Sequence, residues 1–245
     1  MGGMTDSRKV GSWLRPAAAL GAAFLLSVLP SFRPSVAAQV GYEPGHSPYR
    51  DIPRGGVTLL AFGYLGGSRG SVGVGMSNGP TGGLRYETAL GGAIGVSFGL
   101  AYAQTTRFVV NPYKDTLSRK SGPYDNAVVL ADAGLQLVLT GKKTWRGFAP
   151  YLGGALGVAV GGRSPRDTSG YDFGTKFAVM PEAGIRWYPV RRVSVRVDFR
   201  AVGWKVTYPA TYKYPYNQTP VLEPTAPLSE WTWHPWVTLG LGWTF

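Results

Sequence analysis

The feature that most constrains this chain is an alternation of period two that returns in eight separate segments. In residues 94–102, IGVSFGLAY, the side chains of Ile94, Val96, Phe98, Leu100 and Tyr102 fall on one face of an extended strand. Gly95, Ser97, Gly99 and Ala101 fall on the other. Residues 193–203 repeat the pattern with charge. Val193, Val195, Val197 and Phe199 share a face, and Ser194, Arg196, Asp198 and Arg200 oppose them. Residues 176–188 set Phe177, Val179, Ile185 and Trp187 against Lys176, Glu182 and Arg186, and residues 126–140 set Val129, Leu135, Leu137 and Leu139 against Asp132, Gly134 and Gln136. Residues 148–161 and 83–91 follow suit, the latter placing Arg85 and Glu87 opposite Leu84, Tyr86 and Leu90. A first strand spans about residues 56–65, and a last one, residues 233–245, alternates Val237, Leu239, Leu241, Trp243 and Phe245 with Thr238, Gly240, Gly242 and Thr244.

The second face of these strands decides the architecture. A soluble sheet solvates that face with many polar groups, whereas here it is mostly Gly, Ala, Ser and a few charges, which suits the crowded interior of a narrow barrel. Each run is about 9–14 residues long, enough to cross a bilayer on a tilted path. The intervening segments also alternate. Residues 66–82, 105–125, 162–174 and 205–232 are long, while those near Gly92, at 141–147 and at 189–192 are short. Long loops at one end and tight turns at the other are the habit of membrane barrels. The expected fold is all-β: a closed antiparallel transmembrane β-barrel of eight strands. A weaker alternation in residues 71–77, SVGVGMS, leaves ten strands as an alternative. A soluble sandwich is the competing class; it does not require loop lengths to alternate.

Composition agrees. The 245 residues include 36 Gly, 14 Tyr and 8 Trp with only 16% charged residues, which disfavours helices and disorder alike. There is no Cys, so disulfides, thiolate metal sites and lipid attachment at a Cys are excluded.

The N-terminal region reads as an address. Arg8, Lys9 and Arg15 precede an apolar run from Pro16 to Leu29, which is followed by the small residues Val36, Ala37 and Ala38. Basic, apolar and small-residue regions in that order make a secretory signal peptide over residues 1–38, and the apolar run is short for a spanning anchor. The expected organisation is a signal peptide at 1–38, a periplasmic N-terminal segment at 39–54 and the barrel at 55–245. The net charge is +12, of which three belong to residues 1–38. The basic residues are scattered and follow no nucleic-acid-binding pattern, so nucleic acid is not an expected partner.

The chain ends WVTLGLGWTF. With Phe245 last and Trp243, Leu241, Leu239 and Val237 at alternate positions before it, this ending resembles the C-terminal assembly signal of bacterial outer-membrane barrels, which the barrel-assembly machinery reads. Residues 55–245 as a whole resemble the small OmpA-like outer-membrane β-barrel family. The resemblance implies location in the outer membrane among lipid and lipopolysaccharide, and a role as structural anchor, adhesin, narrow channel or, rarely, lipid-modifying enzyme. It carries no functional residue onto a position here.

Parity sends Arg85, Lys176, Arg186, Arg196 and Arg200 into the lumen together with Glu87, Asp132, Glu182 and Asp198. Near-balanced buried charge points to a salt-bridge network that fills the tube; a charge-lined pore is the alternative. Outward Trp187, Trp243 and Phe245 are expected at the periplasmic lipid interface, and Tyr102, Phe177 and Trp233 at the external one. The fourth loop, rich in Tyr and Pro (Tyr208, Tyr212, Tyr214, Tyr216), is either a binding surface or a lid over the barrel mouth. Arg107, Lys114, Arg119 and Lys120 of the second loop are either solvated or contacts for lipopolysaccharide phosphates. No set of nucleophile, base and acid is nominated. His234, inward by parity, is the only candidate base within the barrel, so neither catalysis, nor a cofactor, nor a metal is expected.

Overall fold

The computed structural model describes residues 47–53, 55–162, 167 and 169–245. The expected signal peptide and most of the 39–54 segment lie outside them. The strands are β1 (Tyr49–Asp51), β2 (Val57–Leu65), β3 (Gly79–Gly91), β4 (Ile94–Val110), β5 (Lys120–Val138), β6 (Lys143–Trp145), β7 (Phe148–Gly161), β8 (Gly174–Val190), β9 (Val193–Thr207) and β10 (Ser229–Thr244). Eight of them form one antiparallel ring. Each long strand pairs with the next, β5 pairing directly with β7. The ring closes where β10 pairs with β2, Leu239 opposite Phe62 and Leu241 opposite Leu60. The remaining two strands, β1 and β6, have three residues each and pair with one another beside the tight turns, Arg50 opposite Thr144.

The outer surface explains why the ring must sit in a membrane. Leu84, Leu100, Leu135, Leu156, Phe199 and Leu239 lie on different strands and are each more than half exposed. A soluble monomer tolerates a contiguous apolar patch of roughly 300–600 Å². Here apolar side chains occupy alternate positions on all eight strands, and closure leaves no open strand edge to face lipid. Inside, small residues make room for charge. A Cβ at Gly99 would collide with the Asp132 carboxylate, and one at Gly184 with the Tyr151 hydroxyl and Asp198.

The structure corrects one strand boundary and adds detail at two other places. β4 continues to Val110 and β5 begins at Lys120, with Val110 opposite Lys120, so residues 111–119 alone connect them where a loop over 105–125 was expected. The alternation persists there, because Thr105, Arg107 and Val109 are buried. The outward partners Gln104 and Thr106 are polar, however, since this stretch stands above the hydrocarbon. Residues 71–77 add no strand. They make a single bridge, Met76 to Arg107, and turn Val74 and Met76 inward, which fixes the ring at eight. Finally, part of the pre-barrel segment is ordered: β1 covers one side of the turn end, and Ile52 packs against Val138, Ala149 and Tyr151.

Candidate functional site

The lumen is built in three levels. At the turn end a vestibule of about 460 Å³ opens, walled by Ile52, Val57, Val96, Val138 and Tyr188 and floored by Glu87, Gln136 and Arg186.

Above it lies a layer of charge contributed by β3, β5, β8 and β9. Arg85 reaches Glu87 at 3.1 Å and Glu182 at 3.0 Å, and donates to Ser97 Oγ at 2.6 Å. Arg186 reaches Glu87 at 3.1 Å, and Arg196 pairs with Glu87 and, at 2.5 Å, with Asp198. Arg200 reaches Glu182 at 3.1 Å and Asp132 at 3.6 Å. Gln136 knits the layer by donating to Glu182 at 2.8 Å and Glu87 at 3.0 Å and accepting from Arg186. Thr238 on the closing strand donates to Asp198 at 3.1 Å. Four guanidiniums thus face four carboxylates. Three of the guanidiniums also lie over aromatic rings: Arg186 and Arg196 over Tyr151, at 4.8 and 4.5 Å from its centroid, and Arg200 over Trp236 at 4.8 Å. Removing charges from water is costly unless they are paired and hydrogen-bonded, and cation–π contacts strengthen when desolvated. A void among Asp132, Arg196, Asp198, Arg200, Trp236 and Thr238 measures about 20 Å³, room for about one water.

Of the nine charged residues assigned to the lumen by parity, this layer gathers eight. Lys176 stands apart at the loop end of β8, half-buried, across from Ala159 of β7.

The third level was not legible as a site. At the loop end the lumen is closed by an apolar and aromatic core that includes Trp204, Trp236, Phe173, Tyr171, Tyr208 and Tyr212. Trp204 packs edge-on against Phe173 at 5.6 Å and against the His234 ring at 4.1 Å. His234 Nδ1 meets the Gly66 carbonyl at 3.1 Å and Nε2 lies 3.1 Å from Thr232 Oγ1. Both ring nitrogens therefore serve packing of the loop end.

Arg107 is a correction. Instead of meeting solvent or phosphate from a loop, it is buried on β4, pairs with Asp167 at 2.6 Å and stacks over Tyr171 at 5.3 Å. Asp167 also accepts from the backbone and hydroxyl of Ser169, at 2.8 and 2.5 Å. Asp167 sits in a loop without periodicity, so nothing in the sequence singled it out.

The fourth loop divides between the two roles left open for it. Tyr208, Tyr212 and Leu222 are buried in the cover, whereas Tyr214 and Tyr216 are 70% and 81% exposed. Burial pushes the phenols of Tyr208 and Tyr212 up to about 12, keeping both neutral. The Tyr208 hydroxyl donates to Glu230, which also accepts from Ser71 N–H at 2.6 Å and Ser71 Oγ at 3.0 Å, fastening the first loop to the fourth. Arg119 donates to the carbonyls of Thr219 and Pro220 at 3.5 and 3.4 Å, joining the second loop to them.

Val237, Leu239, Leu241, Trp243 and Phe245 all lie on the outer face and are exposed. Through Trp243, β10 is paired on both edges, with β9 and β2. Outward aromatics gather at both ends of the belt: Trp145, Phe148, Trp187 and Trp243 by the turns, and Tyr102, Phe177, Trp231 and Trp233 by the loops.

No family model matches the sequence, and no curated protein matches it. Solved structures do match. OprG from Pseudomonas aeruginosa, an outer-membrane protein, is 15% identical with a TM-score of 0.50, over 80% of this chain and 98% of that one. Neisserial surface protein A is 12% identical with a TM-score of 0.46, over 81% and 98%. Ail, the attachment invasion locus protein of Yersinia pestis, is 14% identical with a TM-score of 0.38, over 78% and 99%. The likeness to OprG, added to a closed ring of eight strands with an apolar exterior, shows that this chain has the fold of the small outer-membrane β-barrels.

Proposed function

We propose that the chain is a bacterial outer-membrane protein, exported by residues 1–38, whose barrel is a sealed anchor and whose external loops carry a surface-interaction role. The observation that supports this most is the filling of the lumen in series: a charge layer around a void of about 20 Å³, then an aromatic core beneath fastened loops. An eight-stranded barrel is just wide enough for such filling. In planar bilayers the refolded protein should give no discrete single-channel steps. Reproducible steps would favour the narrow channel for small solutes instead.

On this reading the groups available to a partner are those the cover leaves outside. Tyr214 and Tyr216 stand on the fourth loop and Leu117, 98% exposed, on the second. Rigid aromatic groups give contact area at low entropic cost. Exposed Lys114 and Lys120 fit the phosphates of lipopolysaccharide. The reading assigns no catalytic role and no cofactor, and His234 acts in packing. The outward row from Val237 to Phe245 serves as the signal to the barrel-assembly machinery. In cells, Phe245→Ala reports on that assignment through the fraction of folded barrel reaching the membrane; an unchanged fraction would remove it.

A further inference from the structure

The turn end carries a charge pattern that neither the lumen nor the loops use. Among the described residues, the exposed charged side chains there are Arg50 on β1, Lys142 just before β6 and Lys143 at its start, Arg146 before β7, and Arg191 and Arg192 between β8 and β9, against a single acid, Asp51. Among the described residues none of these six cations is in an ion pair. The loop end differs, because its exposed Arg69, Lys114, Lys120 and Lys205 are interspersed with the exposed acids Asp115, Asp125, Asp172 and Glu223.

Three of the cations also sit beside outward aromatic side chains. Arg146 lies over the Trp145 ring at 5.4 Å, and Trp145 is paired with Phe148, which stacks on Trp187 at 6.2 Å. Arg191 and Arg192 follow β8, four and five residues beyond Trp187, and the Arg192 carbonyl accepts from Thr244, next to Trp243. Outward Trp and Phe side chains mark the boundary between hydrocarbon and headgroups. Cations directly beyond that boundary stand at phosphate level, on the flank of the barrel that lipid already covers.

Resting on the outer-membrane reading above, we propose that this basic rim is a binding surface for anionic phospholipid headgroups of the periplasmic leaflet. Lys and Arg at a membrane surface attract anionic lipid over about a Debye length, and salt weakens the attraction. Continuity with the lipid belt is what favours lipid over an acidic protein or polymer beneath the barrel.

The test uses the mature protein in nanodiscs of phosphatidylcholine with about one-third phosphatidylglycerol. Native mass spectrometry counts the lipids retained by the released barrel. Retained lipid should be enriched in phosphatidylglycerol over the input ratio. Enrichment should vanish in the combined Lys142→Gln, Lys143→Gln, Arg191→Gln and Arg192→Gln variant and persist in the loop-end variant Arg69→Gln, Lys213→Gln, neither of which is assigned a phosphate to bind. The four rim positions are exposed, at turns or at the first residue of β6, where substitutions are tolerated, and heat-modifiable mobility on gels verifies folding. Retention at the input ratio, enrichment that survives in the rim variant, or enrichment lost in the loop variant would each overturn the proposal. Release of lipid with an intact apolar belt leaves the outer-membrane reading standing, whereas a barrel that refolds without any amphiphile refutes both.

Discussion

Glu182→Ala should destabilise the barrel by about 3–5 kcal/mol, the cost of breaking a buried ion pair by removing one partner. Glu182 accepts from Arg85, Arg200 and Gln136 at 3.0, 3.1 and 2.8 Å, and its side chain has no exposed surface. Without it two guanidiniums lose their nearest shared anion while remaining in a layer capped on the loop side by the aromatic core. Urea unfolding in lipid vesicles measures the loss. The double variant Glu182→Gln, Arg200→Met removes one charge of each sign and should recover more than half of it, because the layer is again balanced. A loss below about 1 kcal/mol, the range of exposed pairs, would mean that water reaches these charges and the lumen is not sealed.

The second large effect belongs to the loop end. Trp204→Ala removes a fully buried ring held between Phe173 and His234 and should cost about 3–5 kcal/mol. Its consequence is local. The cover is fastened through Tyr212, whose carbonyl accepts from Val221 and Leu222. Loosening the core beneath it should speed tryptic cleavage after Lys213 several-fold while leaving the transmembrane strands protected. Trp204→Phe, which keeps a ring in contact with Phe173, should restore most of the resistance. Equal cleavage rates in all three proteins would show that the cover does not depend on the aromatic core.

What was legible followed from the solvent on each side of the wall. Hydrocarbon demands an apolar side chain at every outward position, so Leu84, Leu100 and Leu239 announced both their strand and their face. The neighbouring charges, Arg196, Asp198 and Arg200 among them, could be sorted by parity alone. Legibility ended where hydrocarbon ends. Gln104 and Thr106 face water on β4, the alternation lost its outward signal, and a strand running to Val110 read as loop. The same limit hid Arg107, whose partner Asp167 comes from a different loop and is brought near only by tertiary packing. Lys176 shows the reverse error: its parity is inward, but it stands too near the loop end of β8 to reach the carboxylates. Tyr208 and Tyr216 share a segment and a composition, and only the folded cover separates the buried one from the exposed one.

The barrel depends on outward side chains touching hydrocarbon while inward ones are sealed from it and from water. Because the chain has no cysteine, single cysteines can carry spin labels without further change. In vesicles, labels at Leu84, Leu135, Leu156 and Leu239 should collide readily with dissolved oxygen and hardly at all with a water-soluble nickel chelate, while a label in place of Ala101, on the inner wall, should be shielded from both. Strong collision of the chelate with the four outward labels would place those positions in water and contradict the membrane barrel.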